Sequence, residues 1–149
     1  MIPVLITTLI SNANAYEHYA TWESTPQVIT CGANMTKKEE VNKSLDYWRT
    51  RGYKFKEVVE SVSCPEPKPG LIIVKTQSFP DRQGLTKTTC YTYAGDTREY
   101  VDYAVVKVNK DQSLYPKENI ETLAHELGHA LGIGHVDDHE DIMFPSVFK

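Results

Sequence analysis

Between Glu121 and Pro145 the chain reads ETLAHELGHALGIGHVDDHEDIMFP, and four of its five histidines fall in this stretch. His125 and His129 are one helical turn apart. At 3.6 residues per turn such positions lie about 40° from each other around the axis, so both rings project from one face. Two imidazole nitrogens placed this way can meet one Zn2+ at roughly 2.0–2.1 Å each. Two ligands leave a tetrahedral site incomplete. Gly132 can stop the helix, because glycine accepts φ > 0, and Gly134 adds freedom just before His135. His135 can then approach the same ion from outside the helix. Three neutral imidazoles leave the ion's charge largely intact and a fourth position open for water, which is the pattern of a catalytic rather than a structural zinc. Glu126 is then placed to act as a base, not a ligand. It would accept a proton from water that the metal has made acidic and pass it on to a leaving amine. The plain alternative is a histidine-rich helix end favoured by the helix dipole. Gly132 and His135, at their places after the first pair, argue against it.

These side chains need a helix, and the periodicity supplies one. Ile120, Leu123, Ala124, Leu127 and Leu131 form an apolar stripe on a helix that begins near Lys117, after Pro116. A second amphipathic helix is expected over residues 37–51. Val41, Leu45 and Trp48 mark its buried face, Thr36 and Glu39 form a capping box, and Gly52 ends it. Strands are expected at Val28–Cys31, Tyr53–Val62, Leu71–Val74, Thr86–Ala94 and Tyr100–Asn109. Residues 16–27 read as an extended lead-in, and the proline-rich run Cys64–Gly70 as a loop. The order β-α-β-β-β-β-α opens with a parallel crossover, and the Thr86–Ala94 strand turns back against its successor. An α+β domain follows, with a mixed sheet packed on two helices.

The 149 residues suffice for one domain with one core, and a composition 40% hydrophobic and 24% charged is that of a soluble globular protein. A net charge of −4 without a basic patch argues against nucleic acid and anionic membrane as partners. The apolar run Ile2–Ile10 is too short to span a bilayer, and Ala13-Asn14-Ala15 has the form of a signal-peptidase site. Residues 1–15 are therefore expected to be a signal peptide and 16–149 a single secreted domain, acting as a monomer. In an exported protein, Cys31, Cys64 and Cys90 imply one disulfide and one odd thiol, with the pairing open.

HELGHALGIGH has the H-E-x-x-H-x-x-G-x-x-H form of the metzincins, and its surroundings resemble the matrixin branch, the matrix-metalloproteinase-like peptidases. The resemblance implies a zinc-dependent metalloendopeptidase acting on extended protein or peptide substrates. It implies His125, His129 and His135 as zinc ligands and Glu126 as catalytic base and acid. Met143 would be the methionine of a turn beneath the metal, and Pro145 with Phe144 would help wall an S1′ pocket for a hydrophobic side chain. The family's sheet is mostly parallel and five-stranded, packed on two long helices, with one antiparallel edge strand above the cleft. That strand would be Thr86–Ala94, to which a substrate adds as a further strand. The chain departs from the family in several places. Val136 replaces the usual serine, Phe144 the usual tyrosine, and the final helix of the family is not among the residues after Met143. Cys31-Gly32 resembles the core of a latency motif but lies in a strand and is read as structural. No histidines stand where a second, structural zinc would need them, so one Zn2+ is expected. Ca2+ would have only the scattered Asp96, Asp102 and Asp111. His139, in an acidic loop, and His18 are read as surface residues. The rival reading is a non-catalytic zinc-binding or assembly module on the same fold.

Overall fold

A computed structural model of the chain describes residues 16–109 and 116–145. Residues 1–15, expected to be a signal peptide, and Asp111 fall outside the described residues. Five strands and two helices follow in the order β1 (Gln27–Cys31), α1 (Lys38–Arg49), β2 (Val59–Ser61), β3 (Leu71–Gln77), β4 (Gly84–Tyr91), β5 (Tyr100–Asn109) and α2 (Pro116–Ala130). The strands form one sheet in the order β2-β1-β3-β5-β4, parallel except for the antiparallel β4–β5 pair. This is the mixed α+β arrangement expected, with β4 as the antiparallel edge. The helices run 12 and 15 residues, close to the ordinary length of about 11–12 rather than long.

β3 explains why the sheet has two covered faces. Leu71 to Val74 are all buried. Ile72 and Val74 point into the main core with Val41, Leu45 and Trp48 of α1 and Leu123 and Leu127 of α2. Leu71 and Ile73 join Cys31 in a smaller cluster. A fully buried side chain of this size stabilises by about 1.5–3 kcal/mol, so the continuous apolar run anchors the sheet's centre. Cys31 is disulfide-bonded to Cys64, which ties the proline-rich loop to the end of β1, while Cys90 is a free, half-buried thiol. Cys31 is thus structural, as its position in a strand implied.

Several local expectations need correction. The capping box does not form: the N-cap of α1 is Lys37, without a side-chain cap bond. The exposed backbone N–H of Lys38 instead donates to Glu60 Oε2 of β2 at 2.8 Å, a partner that arrives through the fold. The strand expected over Tyr53–Val62 is reduced to Val59–Ser61. Its earlier residues still alternate, with Tyr53 and Phe55 half-buried against the core, but they do not enter the ladder. β4 starts two residues earlier than expected and ends at Tyr91, and its register against β5 shifts between Thr89 and Cys90. His18 is half-buried, not a surface residue. Its Nε2 lies 2.9 Å from the Tyr53 hydroxyl, and burial holds the ring below the usual histidine range. The lead-in is stitched in as well: Tyr19 N–H donates to Gly132 O at 2.8 Å, Val101 N–H donates to Thr21 O at 2.8 Å, and Ala20 is 3% exposed.

Candidate active site

α2 presents His125 and His129 and then ends abruptly. Ile133 N–H reaches back to Gly128 O and Gly132 N–H to His129 O, the hydrogen-bond pair of a Schellman turn. Gly132 sits at φ 91°, and a Cβ there would lie 1.9 Å from Ala20 O. Glycine is thus required twice over, by the backbone angle and by the close approach of the lead-in. Beyond the turn the chain swings back and brings in His135. One nitrogen from each of His125, His129 and His135 lies within 4.8 Å of the others, and the third ring is the most exposed.

The imidazole tautomers follow from their partners. His125 Nδ1 is 2.6 Å from Ile142 O, and His129 Nδ1 is 2.8 Å from Ile133 O. A carbonyl oxygen only accepts, so both Nδ1 atoms must carry the proton. Both Nε2 atoms then present lone pairs, and these face each other at 3.2 Å. Burial pushes the His129 pKa down to about 4, so a bridging proton is not held at neutral pH. Two opposed lone pairs repel unless a cation lies between them. Tetrahedral zinc at about 2.05 Å from each nitrogen would set them about 3.3 Å apart. The donor set therefore fits zinc, and the two carbonyls orient the rings as outer partners of metal-bound histidines commonly do.

Glu126 is 8% exposed, and burial pushes its carboxyl up while a hydrogen bond from Thr86 pulls it down. Thr86 Oγ1, on β4, is 2.6 Å from Glu126 Oε1 and 3.1 Å from Glu126 O. Gly84 also leans on this side chain: a Cβ there would lie 2.7 Å from Glu126 Cγ. Triad, Glu126, Gly84, Thr86, Phe144 and Pro145 all line one cleft of about 1170 Å³. A second groove of about 1280 Å³ continues past Tyr19 and His135, which border both.

Beneath the site Met143 is fully buried, and it packs with Trp48 against Gly128, where a Cβ would meet Met143 Sδ at 2.4 Å and Trp48 Cζ2 at 2.6 Å. The Met143 turn is pinned by Asp141, whose Oδ1 accepts Met143 N–H at 2.8 Å and whose carboxylate also takes the Tyr16 hydroxyl. α1 braces α2 through Trp48 Nε1 to Ala124 O at 2.8 Å and Ser44 Oγ to Ile120 O at 3.0 Å. The lead-in caps the helix end: Tyr19 OH donates to His129 O and Trp22 Nε1 to Ala130 O, satisfying carbonyls that a helix terminus leaves open. Thr86, Gly84, Tyr19, Trp22 and Asp141 were not singled out in the sequence, because no local spacing ties them to the histidines. His139 is exposed, with its ring 5.9 Å from that of Phe144. Asp96 is engaged by Arg98 and Tyr100.

No helix among the described residues is long and apolar enough to cross a membrane. A search of curated proteins finds no match to the chain. Residues 87–149 match the family model of the matrixins, peptidase family M10. That span carries most of β4, all of β5 and α2, the three histidines and the Met143 turn. Over the segment that builds the site, the chain is matrixin-like, as its histidine motif implies, and the match supports a metallopeptidase in general.

Proposed function

We propose that the protein is a zinc-dependent metalloendopeptidase that hydrolyses peptide bonds in extended protein substrates. The observation that carries this reading is the pair of Nε2 lone pairs 3.2 Å apart, with His135 beside them and a buried carboxylate in the same cleft. His125, His129 and His135 would hold the ion, which when bound would polarise a peptide carbonyl and acidify water. Glu126 takes the proton from the attacking water and delivers it to the departing amine. Its burial supports that role, since a carboxylate whose pKa is raised takes a proton more readily than an ordinary one does. β4 is the last strand of the sheet, so its outer edge has no strand partner among the described residues. An extended peptide adding there would be held by backbone hydrogen bonds across the cleft. Phe144 and Pro145 would wall the pocket for the residue after the scissile bond, with a hydrophobic preference. Met143 supports the rings from below without binding metal.

We further read residues 16–149 as the catalytic domain of a secreted protein, with 1–15 as its signal peptide. The Cys31–Cys64 disulfide supports an oxidising compartment.

The test is cleavage of a quenched-fluorescence peptide library by the purified protein and by Glu126→Ala, with zinc measured in both. Zinc in both, and a rate lower by about 10²–10⁴-fold in the variant, is the expected result. Zinc in both with cleavage by neither would favour a non-catalytic zinc module. Absence of zinc from the intact protein would remove the site assignment.

A further inference from the structure

β4 touches the Glu126 side chain of α2 from two positions on the same face of the strand. Residues two apart on a strand share a face, and Gly84 and Thr86 both touch this carboxylate. Thr86 Oγ1 stands 2.6 Å from Oε1, within the short range of hydroxyl-to-carboxylate hydrogen bonds. It has one proton to give. The carboxylate oxygen is nearer than Glu126 O at 3.1 Å, so the donation goes to the side chain. Gly84 contributes by lacking a side chain: an added Cβ would lie 2.7 Å from Cγ, 3.0 Å from Cδ and 3.1 Å from Oε2. Such contacts would push the carboxyl off its place. One neighbour draws the carboxylate in, and the other leaves it just enough room.

We propose that Thr86 is the positioning residue for Glu126, with Gly84 making the space, so that the edge strand sets the place of the base. This rests on the peptidase reading above. Its meaning there is specific. The strand to whose outer edge a substrate backbone would add also holds, through its side chains, the group that moves the proton. Substrate and base then take their register from one element. A flexible glutamate otherwise has several rotamers, and a displacement of about 1 Å in a reacting group can cost on the order of 10²-fold in rate.

The test compares the zinc-loaded protein with Thr86→Val, Thr86→Ser and Gly84→Ala, using kinetics on a cleaved peptide, zinc content and crystal structures. Thr86→Val keeps shape and strand preference but removes the hydroxyl. It should lower kcat about ten-fold or more, as loss of a hydrogen bond to a charged group implies, with KM and zinc content within about two-fold of the parent. Its crystal structure should show the Glu126 carboxylate moved or split between rotamers. Thr86→Ser should restore both rate and rotamer, and Gly84→Ala should displace the carboxylate while zinc remains. An unmoved carboxylate in Thr86→Val overturns the proposal whatever the rate does. So does an unchanged kcat. If the parent protein cleaves nothing, the peptidase reading falls, and the crystal structures still decide whether the strand holds Glu126.

Discussion

At the scale of single residues, glycines decide as much as histidines do. Gly132 stands where φ is 91° and where the carbonyl of Ala20 closes in. Replacing it with alanine should cost about 1–3 kcal/mol from the backbone angle alone, and more from the contact with Ala20. A clear drop in the thermal midpoint of Gly132→Ala, followed by circular dichroism, would bear this out; an unchanged midpoint would mean that the turn is not under the constraint described. The histidines were legible from their spacing, because a helix turn and a glycine stop are local rules. Thr86 and Tyr19 were not. Their contacts to α2 span 40 and 110 residues of sequence, and no periodicity within a short window can register them.

At the scale of elements, α2 is held by neighbours as much as by its own stripe. Ser44 and Trp48 of α1 donate to its middle, and Tyr19 and Trp22 donate to its end. The buried face of α1 was readable because Val41, Leu45 and Trp48 repeat at helical intervals and all three are fully buried. Its start was not, because the group that satisfies Lys38 N–H is Glu60 from another strand. The shortened β2 has the same cause in reverse. Alternation in Tyr53–Val62 reports burial on one side, while strand pairing also needs a neighbour along the backbone, and β1 offers only Ile29 to Cys31. β2 is therefore a weak edge, and the Cys31–Cys64 bond, closing 33 residues, keeps the loop beyond it in place. Replacing both cysteines by serine should lower the unfolding free energy by about 2–4 kcal/mol in a urea titration. A shift of less than about 0.5 kcal/mol would show that the loop is held without it.

At the scale of the whole molecule, the zinc reading links metal and fold through the third histidine. His125 and His129 belong to one helix, whereas His135 comes from the chain beyond the turn, next to the Met143 loop. An ion that binds all three joins these parts and is bound by the folded form alone. Under the zinc reading, stability should rise with free metal, by about 2.7 kcal/mol at a hundred-fold excess over the dissociation constant. Stripping the protein with a chelator should lower its melting temperature, and adding zinc back should restore it. A midpoint indifferent to both would separate the histidine cluster from any metal.

The stitching of the lead-in has a further consequence, for the order in which the molecule is made. Tyr16 reaches Asp141 across 125 residues, and Trp22 reaches Ala130 across 108. The sheet's centre has the same character, since β3 must wait for β5 before its second neighbour exists. Contacts of such range form late and fold slowly. A ribosome delivers the first partners of these bonds long before the last. Until the final stretch has emerged, the nascent chain has strands but no closed histidine cluster. Under the peptidase reading, the nascent chain has no assembled site with which to cut its neighbours until that last stretch has joined the fold.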